Sequence, residues 1–223
     1  MIQMFAVSAR TAGQRVLARA MVLVLVFLVS GIMVSAVQAS SVSLELKPSS
    51  QLWLEGKSTL HPFSSKATQI NLTLDVVYKE ASASAQQVLQ TLSAGGAVNR
   101  LIVGVPVKGL KSGKGALDDN LYSALKVGEN PRIQFTLKGY KVLGGPSADG
   151  VYSARVAGVL TIAGKSRTVD FDVTAKPEKD AINIWGTEHL KMTQYGITPP
   201  TAMMGMIRTE EAVTVNLDMT LGV

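Results

Sequence analysis

Apolar and polar residues alternate with a period of two in one stretch after another of this 223-residue chain. The alternation is clearest in six segments: 42–46, 70–74, 101–107, 133–137, 169–173 and 213–221. A period of two is typical of half-buried β-strands. Because no long helical segments separate these strands, the pattern predicts antiparallel order and a closed or sandwich-like sheet of about eight or nine strands.

Two further extended stretches and one hairpin complete the predicted sheet. Residues 52–63 form one extended stretch, with Gly56 as a β-bulge. Residues 182–192 form another. Residues 151–162 and 167–175 alternate on either side of a short Ala-Gly-Lys-Ser linker, which predicts a β-hairpin.

Two segments have helical spacing instead. In 81–94 the apolar residues recur three, four and seven positions apart, which predicts a short amphipathic helix that ends at Gly95. The alternative for this segment is a polar loop, since Ser and Thr are frequent in it. In 110–126, Asp118 or Asp119 is predicted to cap a second helix.

The first 39 residues have the three parts of a secretory signal peptide. Three arginines and no acid precede an apolar run over 21–34, and Val37-Gln38-Ala39 offers a small-residue cleavage site. We therefore expect residues 1–39 to be removed on export to the periplasm or the medium, which leaves residues 40–223 as one domain. The alternative is an uncleaved anchor, because the apolar run lies at the lower edge of a membrane-spanning length.

Composition argues against nucleic-acid binding and against thiol chemistry. Removal of the leader leaves 19 basic and 16 acidic side chains with no concentrated basic face, and the whole chain has only five Tyr and five Phe. The chain contains no Cys, so thiolate nucleophiles and Cys-based metal sites are excluded.

The two histidines do not form a recognisable site. His61 and His189 lie 128 positions apart, and a zinc or copper site usually needs a cluster of ligands. A Ser-His-acid triad has no G-x-S-x-G turn to support it. We therefore predict no metal site, no catalytic residue and no enzyme, and keep a hydrolase or isomerase that uses His61 or His189 as the least favoured alternative.

Four methionines surround one Pro- and Gly-rich segment near the C-terminus: Met192, Met203, Met204 and Met206. Methionine side chains adapt to irregular apolar shapes. The sequence leaves two interpretations open: this segment forms an apolar lip over a cavity, or it forms a plug that closes one end of the core.

Several short motifs occur in the order found in one known family. They are V-P-V-K-G-L-K-S-G at 105–113, a helical segment over 118–126, N-P-R-I-Q-F at 130–135, the G-x-L-T-I-x-G hairpin within 156–164, and Tyr195-Gly196-Ile197. With these motifs the chain resembles the YceI-like family over roughly residues 42–221. The resemblance implies an eight-stranded, antiparallel, lipocalin-like β-barrel with one or two short helices, in a periplasmic or secreted protein. It also implies that the barrel binds polyisoprenoid lipids such as isoprenoid quinones.

An isoprenoid tail needs only apolar walls and one polar mouth. Candidate wall residues are the inward side chains of the clearest strands: Phe63, Leu72, Leu74, Val103, Val105, Ile133, Phe135, Leu160, Ile162, Phe171, Val173 and Leu217. Trp185 and Tyr195 are candidates for the mouth, where an aromatic ring with a polar tip is useful. The alternative for each is plain core packing, in a structural or interaction barrel filled by its own side chains. The expected partner is an apolar lipid-like ligand without a separate cofactor; membrane contact is expected to be transient after cleavage, and the sequence does not specify the oligomeric state.

Overall fold

The computed structural model describes residues 40–42, 44–78 and 83–223, so the predicted leader lies outside the described residues. The described chain is all-β with two short helices, which confirms the predicted fold class. Its strands are β1 (Ser40–Val42), β2 (Glu45–Leu46), β3 (Gln51–Ser58), β4 (Pro62–Ala67), β5 (Asn71–Tyr78), β6 (Val98–Pro106), β7 (Leu110–Lys111), β8 (Arg132–Gly144), β9 (Tyr152–Ile162), β10 (Lys165–Pro177), β11 (Ala181–Lys191), β12 (Thr201–Ala202) and β13 (Ile207–Gly222).

These strands form one antiparallel sheet whose main path runs β5-β6-β8-β9-β10-β11-β13-β3-β4. Most neighbours on this path are also neighbours in the sequence, as expected when short turns connect antiparallel strands. The pairing of β13 with β3 is different, because it joins strands from opposite ends of the described chain; in it Val215 lies opposite Leu54.

The predicted hairpin is confirmed; its first strand, β9, is one residue shorter than predicted, and its second strand, β10, extends two residues further at each end. The β9–β10 ladder runs from Ile162 opposite Lys165 to Tyr152 opposite Ala175. Ala163 and Gly164 form the two-residue turn with φ of 47° and 75°. Positive φ at both turn positions matches a type I′ turn, whose twist suits an antiparallel ladder.

The curl of the sheet brings the end of β4 beside the short strand β7. Lys66 and Ala67 at the end of β4 lie opposite Lys111 and Leu110 of β7. β7 follows β6 after a single 3-10 turn, Val107–Gly109, so this pairing links β4 to the segment that leaves β6. The architecture is therefore a curled, barrel-like antiparallel sheet whose strand order is open, with β1 at one end and β7 at the other.

The predicted count of eight strands is wrong, because the described sheet has nine strands of six or more residues and four shorter ones. One cause is that segment 52–63, which the sequence predicts as a single stretch, folds into β3 and β4. Ser58 Oγ accepts hydrogen bonds from the backbone N–H groups of Leu60 and His61 and so stabilises the turn between them. Gly56 is not the bulged residue, because it pairs with both Phe63 and Val213; the register shift that borders the second pair has its extra residues on β13, between Thr209 and Val213.

Both predicted helices are present. Helix α1 (Ala85–Ser93) begins with a capping box, in which the Gln87 N–H donates to Ser84 Oγ and the Ser84 N–H donates to Gln87 Oε1. Helix α2 is Gly115–Ala124. The predicted cap of α2 is wrong, because Lys114 occupies the N-cap position and Asp118 lies in the first turn.

Asp118 holds the loop before α2 instead of capping the helix. The residue is 6% exposed, and its Oδ1 accepts hydrogen bonds from the Ser112 N–H at 2.7 Å and from Ser112 Oγ at 2.6 Å. Lys111 Nζ lies 3.8 Å from its other oxygen. The Ser112 hydrogen bonds, with help from Lys111, hold the pKa of Asp118 below its usual range.

The buried side chains form two clusters at opposite parts of the sheet. One packs α1 against the sheet and includes Val76, Val88 and Ile182. The other packs the 3-10 turn after β6 and the segment after β11, and includes Leu110 and Tyr195. The space between the two clusters lies inside the curl of the sheet.

Candidate functional site

The curled sheet encloses a cavity of about 670 Å³ whose lining reaches members of both buried clusters. Strand alternation builds its wall, as on β13, where every second residue faces inwards: Val213, Val215, Leu217, Met219 and Leu221. This volume lies within the range of roughly 300–1,000 Å³ that is typical of small-molecule sites.

Thirteen of the fourteen residues predicted from the sequence to bind the ligand line this cavity: Phe63, Leu72, Leu74, Val103, Val105, Ile133, Phe135, Leu160, Ile162, Phe171, Val173, Tyr195 and Leu217. Trp185 does not line the cavity and is 39% exposed. Side chains alternate along β11, so the neighbouring Ile184 faces inwards and Trp185 faces outwards. These are placements only, and ligand contact by the thirteen residues stays a prediction.

The structure adds lining residues that strand alternation could not identify. Helix α1 contributes Leu89 and Leu92, and helix α2 contributes Leu117 and Leu121. Their helical spacing predicted an apolar face, but not that this face covers the interior of the sheet. Tyr140 Oη donates a 2.8 Å hydrogen bond to the Leu92 carbonyl and attaches the end of α1 to β8.

Phenylalanine rings fill the interior where glycines leave room. A Cβ added at Gly56 would overlap Phe63 Cζ, and one at Gly158 would overlap the ring of Phe135. Phe135 also packs edge-on against Phe171, with ring centroids 5.7 Å apart. Glycine at 56 and 158 therefore lets bulky aromatic side chains lie flat against the wall without closing the cavity.

One carboxylic acid, Glu188, belongs to the cavity wall. It follows Ile184 on the inward face of β11, so alternation alone would have placed it there. Burial raises the pKa of Glu188, and the nearby Asp170 adds to the shift while His189 opposes it. Burial, together with the Glu188 charge, likewise raises the pKa of Tyr195. Glu188 and Tyr195 are therefore polar groups in a lining that is mostly apolar.

The exposed members of the lining mark the mouth of the cavity: Leu60, His61, Lys114, Ala116, Asn120, Lys191 and Thr201. They come from the β3–β4 turn, the start of α2, the end of β11 and β12. The mouth is thus formed by connecting segments, which are held in place by the sheet behind them.

The methionines do not plug the core. Met192 lines the cavity, whereas Met203, Met204 and Met206 are exposed. The three exposed methionines lie in the segment between two parts of the lining, Thr201 and Ile207. This placement contradicts the plug and agrees with a lip beside the mouth.

The histidines lie apart. His61 Nδ1 is 3.1 Å from the Pro62 carbonyl oxygen, and His189 Nδ1 is 3.1 Å from Thr214 Oγ1. Within residues 40–42, 44–78 and 83–223, no three His, Asp or Glu side chains gather as a metal-ligand set. Neither described helix combines the length and the hydropathy that a membrane crossing requires.

The family model described as the YceI-like domain matches residues 39–221. A search of curated proteins finds no match. Among solved structures, BcnA of Burkholderia cenocepacia superposes with a TM-score of 0.59 and 15% identity, over 79% of this chain and 99% of that one. A Campylobacter jejuni YceI protein gives 0.52 and 15%, over 75% of this chain and 84% of that one.

A third similar structure is a Saccharophagus degradans domain described as polyisoprenoid binding and implicated in plant cell wall breakdown. It superposes with a TM-score of 0.54 and 11% identity, over 83% of this chain and 99% of that domain. At these identities the three structures establish a shared fold and nothing finer.

Proposed function

The chain belongs to the YceI-like domain family, and from that premise we propose that it is an exported, non-catalytic carrier that holds one polyisoprenoid or isoprenoid-quinone-like amphiphile in its cavity. The observation that carries the proposal is the open interior of about 670 Å³ with apolar walls. Were the space filled by water at roughly 30 Å³ per molecule, about twenty waters would face hydrocarbon surfaces that offer few hydrogen bonds. A long hydrocarbon guest suits such walls better.

The magnitude of hydrophobic burial indicates which guests bind. Transfer of hydrocarbon from water gains about 0.8 kcal/mol per methylene, or roughly 4 kcal/mol for a five-carbon isoprene unit. Association costs on the order of 4–15 kcal/mol in lost freedom. Roughly two to four buried units are therefore needed before binding becomes favourable, which favours polyisoprenoids over short terpenes.

The alternative, a structural or interaction barrel with a self-filled core, is disfavoured by the same open volume. Side chains in a filled interior would pack at crystal-like density and leave few voids larger than a water molecule. The polyisoprenoid named for the Saccharophagus degradans domain supports this ligand class for a related fold, although that domain shares only 11% identity with this chain.

Organic extraction followed by mass spectrometry tests the proposal. The full chain is produced in a bacterium that exports it, purified without detergent, extracted and analysed for isoprenoids, and the ligand-free protein is then offered an isoprenoid quinone. We expect about one apolar molecule per chain. An extract without such a molecule, together with no uptake of added quinone, would overturn the proposal.

Two adjacent residues of β6 supply a matched pair of variants. Val103 lines the cavity and Ile102 does not. Val103→Phe should reduce the amount of extracted isoprenoid, because its ring enters the space that the guest needs. Ile102→Phe adds the same kind of side chain on the outer face and should leave the extracted amount unchanged.

A further inference from the structure

The mouth of the cavity carries a cluster of exposed apolar side chains. Leu60 is 65% exposed, Met203 65% and Met206 73%, and Met204 is fully exposed. Single exposed apolar residues are ordinary, but a group on one rim indicates an interaction surface. We call Leu60, Met203, Met204 and Met206 the apolar rim.

Hydrogen bonds tie the two segments of the apolar rim together. The Thr59 N–H donates to the Arg208 carbonyl at 2.9 Å, and the Arg208 N–H donates to Thr59 Oγ1 at 3.1 Å. Thr59 Oγ1 also lies 3.4 Å from the Met206 carbonyl oxygen, to which it donates. The β3–β4 turn and the methionine segment therefore form one surface although they lie far apart in the sequence.

The apolar rim is continuous with the cavity. Leu60 itself lines the cavity, and the methionine segment is flanked by the lining residues Thr201 and Ile207. An apolar molecule that leaves the cavity by this mouth meets the rim first.

Two of the methionines have an unusual backbone conformation. Met203 and Met204 have φ of 50° and 52°, the left-handed region that side chains other than glycine rarely adopt. Two consecutive residues in this conformation cost free energy, and such strain is concentrated at functional sites. Both side chains are exposed thioethers, which adapt to irregular apolar surroundings.

The charged side chains among the exposed residues of the mouth are both basic, Lys114 and Lys191. Neither forms an ion pair within the part of the chain that the structure describes. Acidic side chains adjoin the mouth at residues 118–119 and 210–211, and of these Asp118 is paired with Lys111. Unpaired basic side chains beside exposed apolar ones are the combination that binds an anionic membrane surface.

We propose that the apolar rim docks onto bilayers that contain anionic phospholipid, with its side chains among the headgroups and the mouth facing the membrane. The guest then passes between bilayer and cavity without crossing water. This inference rests on the proposed carrier function and adds where the guest is loaded or released. A second copy of the chain fits the surface less well, because facing rims would bring like charges together.

Vesicle flotation tests the docking. The full chain is mixed with vesicles of phosphatidylethanolamine and phosphatidylglycerol, and with vesicles of phosphatidylcholine alone. We expect binding to the anionic vesicles that weakens as salt is raised, because salt screens exposed charges. The double substitution Met203→Ser with Met204→Ser should reduce the bound fraction roughly tenfold, since apolar area no longer enters the interface.

Leu143→Ser is the matched control, because Leu143 is also exposed, at 49%, but does not line the mouth. Wild type and both variants are recovered after export, so they share the same N-terminus, and flotation is compared at a lipid concentration at which the wild type is only partly bound, so that a shared contribution does not mask the effect of the rim. Equal flotation of the methionine variant and the Leu143 variant would overturn docking by the rim. Docking would also be overturned if the methionine variant differed from the wild type in sedimentation but not in binding to vesicles, because the rim would then bind a second copy of the chain.

A separate measurement distinguishes this inference from the carrier function itself. Uptake of isoprenoid quinone from a cyclodextrin complex, without any membrane, should be equal in the wild type and in the methionine variant. If the wild type takes up no quinone, the carrier function is contradicted. If both proteins take up quinone and the methionine variant floats as well as the wild type, only the docking is contradicted.

Discussion

Replacing Gly56 by alanine tests whether the Phe63 ring can lie against the wall only because position 56 has no side chain. A Cβ at position 56 would overlap Phe63 Cζ and lie 3.0 Å from both Cε1 and Cε2, so its three nearest atoms all belong to the Phe63 ring. The ring must therefore swing away from β3. Because Phe63 lines the cavity, the change should also reshape the site.

The magnitude follows from a comparison with Gly104, on β6. A Cβ there would have its nearest neighbour, Asn71 Cβ, at 3.9 Å, which is ordinary contact. Alanine gains about 0.5–1 kcal/mol over glycine within a strand, and this gain is shared by both sites. Overpacking costs typically 1–3 kcal/mol. Gly56→Ala should thus be about 1–3 kcal/mol less stable than Gly104→Ala.

Thermal unfolding of the two variants gives the comparison directly. For a domain of this size each kcal/mol shifts Tm by roughly 2–4 °C, so Gly56→Ala should unfold roughly 2–12 °C below Gly104→Ala. Phe63→Leu has a cost of its own, so the ring's part is measured by a double-mutant cycle: in a Phe63→Leu background, Gly56→Ala should cost much less than in the wild type. Equal stability of the two alanine variants, or the same cost of Gly56→Ala with and without the Phe63 ring, would refute the reasoning.

Three further substitutions probe single groups. Asp118→Asn should lower Tm at neutral pH. Because Ser112 lowers the pKa of Asp118, the ionised carboxylate stabilises the fold above the ordinary carboxyl pKa and this contribution is lost on acidification, so the Tm difference between wild type and variant should shrink in acid. Glu188→Gln should raise Tm at neutral pH. Because burial raises the pKa of Glu188, the wild type should lose stability as pH rises from the ordinary carboxyl pKa through the raised pKa, and the variant should show no such loss. Tyr140→Phe should cost about 0.5–1.5 kcal/mol in denaturant unfolding. The Leu92 carbonyl then loses the tyrosine hydroxyl as a donor and keeps the Gly95 N–H.

The alternation of side chains explains how much of the site could be predicted from the sequence. On strands with unbroken alternation, such as β8 with Ile133 and Phe135, the inward face was evident. On β11 the inward positions include Gly186 and Glu188, which obscure the pattern, so Trp185 was assigned to the mouth although it faces outwards.

Long-range contacts explain what could not be predicted. Gly56 looked like a bulge because its partner, the ring of Phe63, lies on the far side of a turn that the sequence did not reveal. The role of Asp118 depends on a loop that folds back onto the first turn of α2. The cavity itself depends on pairings such as β13 with β3, between the two ends of the domain, and no local pattern specifies them.

Native mass spectrometry of the full chain with isoprenoid quinones of increasing tail length tests the central claim most directly. Since roughly 4 kcal/mol is gained for each buried isoprene unit, the account predicts one quinone per chain, with occupancy that rises steeply over the first few units and levels off once the cavity of about 670 Å³ is filled. The absence of any complex, or an occupancy that does not depend on tail length, would contradict it.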